Sequence, residues 1–216
     1  MPEIIPTVVP ASLDDVAGAM FRYEHVARML HVDFADGVFA PSTTWMPTAG
    51  DVLRAMPWEA HLMAAEPREL GLSCIRSGAT RVIGHVEAVL QNAPEILSAW
   101  RKRGALEAGL ALLAQTPLEA LDPFLADCDF TMLMSIQTIG VQGLPFDEHA
   151  PARVSALRAR HPGLPIEVDG SVNETTIAAL ARAGARRFCV GSALSKSSDP
   201  KSTYRSLMDV AGSAIH

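Results

Sequence analysis

Two kinds of segment alternate along the chain. Short apolar runs of five to eight residues read as strands: "EIIPTVV", "MLHVDFA", "WEAHLMA", "RVIGHVEA", "LEAGLALL", "FTMLMSI", "LPIEVDG" and "RRFCVGS". Between them lie longer stretches whose apolar positions recur at helical spacing: "SLDDVAGAMFRYEHVARM", "EPRELGLSCIRSG", "NAPEILSAWRKRG", "TPLEALDPFLADC", "APARVSALRARH" and "NETTIAALARAG". Start and stop signals frame these helices. Ser12 and Asn173 stand as N-caps, Pro67, Pro94 and Pro117 sit in first turns, and Gly78, Gly104 and Gly184 follow last turns. The stretch "STTWMPTAGDVLRAM" reads as a loop leading into a shorter helix.

Eight strand–helix units over 216 residues make about 27 residues per unit, the economical layout of an α/β (β/α)8 TIM barrel. A doubly wound sheet also alternates strand and helix, but it has fewer strands and a glycine-rich first loop. Here the first strand leads into "PTVVPASL", which is no such loop. No linker or low-complexity segment interrupts the pattern, so a single barrel domain is expected over 1–216.

Composition narrows the partners. The chain is 49% hydrophobic with a net charge of −6 and no basic run, which argues against nucleic acid. No stretch reaches the ~18 apolar residues of a membrane span, and the N-terminus lacks the pattern of a signal peptide. Cys74, Cys128 and Cys189 are widely spaced, odd in number and without a CxxC, so they read as reduced thiols of a soluble cytoplasmic protein.

In such barrels the chemistry sits at the C-terminal ends of the strands. Those ends carry His31 and Asp33 (second strand), His61 (third), His85 and Glu87 (fourth) and Asp169 (seventh). His31 and Asp33, two apart on a strand, face the same side. Two imidazoles and two carboxylates suit one divalent cation, Zn2+, Fe2+, Mn2+ or Co2+, with no thiolate available to favour one of them. Glycine-containing turns close the last two strands, "DGSV" at 169–172 and "VGSAL" at 190–194. Their backbone N–H groups fit the phosphate site common after strands seven and eight of barrels.

Taken in order, "HVDFADGVFAP" (31–41), "HLM" (61–63), "HVEA" (85–88), "MS" (134–135), "EVDG" (167–170) and "GSA" (191–193) resemble the ribulose-phosphate 3-epimerase family along nearly the whole chain. The resemblance implies that His31, Asp33, His61 and Asp169 hold the metal. It also implies that Asp33 and Asp169 exchange protons with opposite faces of the reacting carbon through a cis-enediolate. Thr7, Met63, Met134, Gly143, Gly170, Ser171, Gly191 and Ser192 would line the substrate, a phosphorylated ketose. Read alone, Met63 and Met134 are core packing. Homo-oligomers are implied as well.

Departures from the family fall around the substrate. Ala35 replaces a methionine and opens room near the reacting end. Thr7 replaces a serine. The loop "QTIGVQG" (137–143) has fewer glycines, and Ser171 replaces a glycine, either adding a hydroxyl donor for the anion or crowding it. D-ribulose 5-phosphate is the expected substrate, with a hexulose 6-phosphate as the alternative. A decarboxylase or Schiff-base aldolase would need a strand lysine. Lys102, Lys196 and Lys201 all lie outside the strands. A non-catalytic metal-binding relative would have lost an acid–base residue, and none is lost.

Overall fold

The computed structural model describes residues 1–141 and 143–215. Its eight parallel strands close in sequence order: β1 (Glu3–Val8), β2 (Leu30–Ala35), β3 (Trp58–Met63), β4 (Arg81–His85), β5 (Glu107–Leu112), β6 (Phe130–Met134), β7 (Ile166–Asp169) and β8 (Arg187–Val190), with β8 pairing back onto β1. This is the TIM barrel the apolar runs predict.

The helices are α1 (Leu13–Tyr23), α2 (Pro67–Ser77), α3 (Val86–Val89), α4 (Ala93–Arg103), α5 (Ala150–Arg160), α6 (Ile177–Ala183), α7 (Ser192–Ser195) and α8 (Pro200–Ser213). Ser12 caps α1 in a full capping box with Asp15. Gly78 and Gly184 end α2 and α6 at φ +113° and +117°, where a side chain would be strained. None of these helices is long and apolar enough to cross a membrane. All three cysteines are free.

Three predicted helices differ. The stretch after β2 forms no helix. Pro41 and Pro57 bracket it and Pro47 interrupts it, Asp51 closes a turn on Thr48, and its backbone bonds elsewhere, Trp45 to Pro10 and Leu53 to Ser77. "TPLEALDPFLADC" forms only two single turns, Leu118–Leu121 and Leu125–Asp127. Pro123 offers no N–H and its ring opposes the carbonyl four residues back, so a continuous helix is broken there. Two of the eight strands are therefore not followed by an α-helix. Asn173 is not the cap of α6, which starts four residues later after Thr176. Its side chain accepts from the Thr175 backbone N–H in a lead-in turn.

Alternation along the strands sends every second residue inward. Arg81 on β4 and Arg187 on β8 therefore meet Glu3 and Glu107 on the barrel floor, with Arg81 Nε 2.6 Å from Glu107. Above that floor the same alternation lifts further polar side chains towards the mouth.

Candidate active site

The β2–β3 register sets Asp33 beside His61. His31 Nε2 lies 3.2 Å from Asp33 Oδ1, and His61 Nδ1 lies 2.8 Å from the same oxygen and 3.8 Å from Asp169 Oδ2. One donor atom from each of His31, Asp33, His61 and Asp169 falls within 4.8 Å of every other, a span that one cation can bridge. The donor set, two imidazoles and two carboxylates from three strands, fits a divalent first-row metal. The four residues expected to converge are brought together.

Their electrostatics are unequal. Burial would raise Asp33, but the His31 and His61 imidazoles hold it well below the usual carboxylate range. Burial and the negative charge of Asp33 push Asp169 up to about 7. Burial lowers His61 to about 4, so it is neutral, while Asp33 and Glu59 overcome burial and raise His31. One carboxyl group is thus kept charged and its neighbour kept protonated near neutrality, a separation that lets one accept a proton while the other donates.

Sequence reasoning missed what lies beneath. Glu59, fully buried, accepts from His31 Nδ1 at 2.7 Å and pairs with Arg81 at 3.2 Å. Nδ1 is the nitrogen directed away from Asp33, so Glu59 orients the ring and would hold a proton on Nδ1, leaving Nε2 as the nitrogen available to a cation. Burial and the charge of Glu59 raise Glu167. Cys189, its thiol also raised by burial and by Glu167, lies 3.3 Å from His31 Nδ1 and 3.2 Å from Glu167. A sulfur therefore stands beneath the cluster, though not as a thiolate that would favour one metal. As a thiol, Cys189 is a hydrogen-bond neighbour rather than a ligand. A partial signal exists: Glu59 and Glu167 each lie two residues before a mouth residue of the same strand, His61 and Asp169, and so face the same side.

A cavity opens above the cluster. Asp33 and Asp169 form its floor, and the eight positions matched to the substrate all line it: Thr7, Met63, Met134, Gly143, Gly170, Ser171, Gly191 and Ser192. His31 and His61 lie beneath, with no exposure. Two expectations about the cavity wall change. Ala35 is fully buried and does not line the cavity, because the loop after β6 covers it. The Ser171 hydroxyl donates to the Leu144 carbonyl and so turns towards that loop, not towards an anion. Of the loop itself, Gln142 lies outside the described residues.

A closed barrel with paired carboxylates and imidazoles at its C-terminal mouth defines a class, the TIM-barrel enzymes. Among solved structures the barrel superimposes on KGPDC from Streptococcus mutans with a TM-score of 0.71 over the full length of both chains, at 11% identity, a likeness of fold alone. Sequence comparison is more specific. A model of the ribulose-phosphate 3 epimerase family matches residues 3–195. Ribulose-phosphate 3-epimerase of Schizosaccharomyces pombe is 31% identical over 91% of this chain and 87% of its own. That of Mycobacterium bovis is 32% identical over 99% and 94%. The chain belongs to the ribulose-phosphate 3-epimerase family, a family of carbohydrate epimerases.

Proposed function

We propose that this chain inverts carbon 3 of a ketose phosphate, D-ribulose 5-phosphate to D-xylulose 5-phosphate, by proton transfer between Asp33 and Asp169, with one divalent cation held by His31, Asp33, His61 and Asp169. The observation that supports this reading most is geometric: donor atoms of His31, Asp33, His61 and Asp169 converge within 4.8 Å of one another, and both carboxyl groups form the floor of one cavity. Inversion next to a carbonyl requires a proton to leave one face of the carbon and arrive on the other. Two carboxyl groups on one cavity floor, one serving as base while the other carries the proton, meet that requirement.

Asp33, charged, removes the proton from one epimer; Asp169 delivers one to the opposite face, and their roles exchange in the reverse direction. A cation in this donor set would offset negative charge on the enediolate oxygens. Met63 and Met134 give the carbon chain an apolar wall that excludes water. Gly170, Gly191 and Ser192 leave their backbone close to the cavity, where N–H groups suit the phosphate. Gly170 is required there, since its φ is +113° and a Cβ would sit 2.8 Å from the Ile136 side chain.

The closing test uses chelator-treated protein reloaded with Mn2+, Co2+, Zn2+ or Fe2+ and incubated with ketose phosphates in D2O. Deuterium at carbon 3 of ribulose and xylulose 5-phosphate, seen only after metal is returned, is the expected result. Full turnover in metal-free protein would remove the cation from the mechanism, and exchange confined to a hexulose phosphate would replace the substrate.

A further inference from the structure

His85 and Glu87 stand in the "HVEA" stretch but belong neither to the ligand set nor to the cavity lining. His85 is fully buried, and its Nε2 lies 2.8 Å from His61 Nε2, the nitrogen of His61 that faces away from Asp33. On its other side, His85 Nδ1 faces Glu87 Oε2 at 3.5 Å, and both atoms are buried without a hydrogen-bond partner. The Phe39 ring packs 5.0 Å from the imidazole and the Leu113 backbone N–H ties the other oxygen of Glu87 at 2.9 Å, so neither side chain is loose.

Two buried orphan atoms facing each other need a reason. Neutral His61 donates from Nδ1 to Asp33, so its Nε2 can only accept, and His85 must donate to it from Nε2. A neutral His85 then turns a bare Nδ1 lone pair to a carboxylate oxygen, an acceptor facing an acceptor, in keeping with the 3.5 Å separation and the absence of a hydrogen bond there. A cation on His61 Nδ1 demands the other arrangement. The His61 proton must then sit on Nε2 and be donated to His85 Nε2, which places the His85 proton on Nδ1, directed at Glu87. No proton is lost from the pair; both imidazoles change tautomer, and the two orphan atoms become partners.

Resting on the metal reading above, we infer that His85 and Glu87 are positioning residues that act through His61, forming a hydrogen-bonded chain that completes itself only when a divalent cation occupies the cluster. Such outer partners typically set metal affinity by about 10–100-fold.

The test measures Mn2+ binding by calorimetry on chelator-treated protein, wild type beside H85F, H85Q and E87Q. Phenylalanine keeps the ring packed on Phe39 but removes the acceptor; glutamine loses the ring but returns an oxygen near the place of Nε2. The expected order is a loss of about 10–100-fold in H85F, recovery to within a few-fold in H85Q, and an intermediate loss in E87Q. A structural role reverses the first two and would overturn the inference, as would H85F binding at wild-type strength. Nitrogen-15 spectra of the wild type with and without Zn2+ read the tautomer directly, whatever the variants do. A proton moving to His85 Nδ1 on Zn2+ addition supports the chain; one remaining on Nε2 refutes it. Wild-type protein that binds no Mn2+ removes the metal reading itself, while wild-type binding lost in H61A but kept in H85F removes only this inference.

Discussion

Asp169 is held in a state that the fold resists. Buried beside the negative charge of Asp33, its carboxyl group titrates at about 7 rather than 3.8. At about 1.4 kcal/mol per tenfold change in proton affinity, that gap amounts to a ceiling of about 4 kcal/mol. The sign follows from a raised carboxyl pKa. The contribution is fully present below the unfolded value, shrinks as the unfolded chain ionises above about pH 4, and is gone once the folded group ionises above about 7. Metal-free protein at about pH 8 therefore carries an ionised, poorly compensated carboxylate that Asp169→Asn would remove. In chelator, D169N should melt higher than wild type at about pH 8, with the difference vanishing below about pH 4. With Mn2+ the order should reverse, because a cation compensates the wild-type charge and gains one anionic ligand fewer in the variant. Thermal melts at three pH values, with and without metal, read both halves. A metal-free D169N that melts at or below wild type at pH 8 would refute the account of Asp169 as a destabilised acid.

Single-aspartate variants should separate exchange from inversion. D33N and D169N should each lose about 10²–10⁴-fold in epimerisation, yet each should still wash solvent deuterium into the one epimer whose proton faces the remaining aspartate. Inversion at near-normal rate in either variant would end the two-base scheme. Gly170→Ala should cost about 2–4 kcal/mol by adding a Cβ at φ +113° and 2.8 Å from Ile136. Denaturant unfolding measures it, and an unchanged midpoint would mean that β7 ends without that constraint.

The barrel was legible because eight short apolar runs alternate with segments of helical spacing, and because His31, Asp33, His61 and Asp169 interrupt apolar runs where burial is otherwise complete. The connections were less legible. Apolar spacing in "TPLEALDPFLADC" matches a helix, but Pro123 forbids one, and the loop over 41–57 bonds to Pro10, beyond the end of β1, and to Ser77 of α2, partners far away in sequence. Glu59, Glu167 and Cys189 were hidden for a different reason. Each lies inside a strand, where a polar residue seen alone looks like a position on the outer face; only barrel closure shows which residues share the space under His31. Ser171 misled because its hydroxyl has a local acceptor, the Leu144 carbonyl, supplied by a loop whose course the sequence does not specify.

Ala35 and that same loop are best understood as one change. A small residue at 35 would enlarge the cavity only if nothing took the vacated space. Instead Ala35 packs with Ala40, Met63, Ile136 and Ile139, and the Gly140 backbone lies so near that a Cβ there would be 3.1 Å from Ala40 and 3.8 Å from Ala35. The Ser42 hydroxyl donates to the Gly140 carbonyl at 2.6 Å and pins the loop in place. The loop thus seats Ile136, Ile139 and Gly140 against the small residue at 35. Restoring methionine by Ala35→Met should therefore overpack this cluster at a cost of about 1–3 kcal/mol and lower kcat/KM by displacing the loop, without changing which ketose phosphate is preferred. A variant that kept its melting temperature and shifted preference between five- and six-carbon substrates would show that position 35 faces the substrate after all, and that the loop's tight seat over it does not persist during turnover.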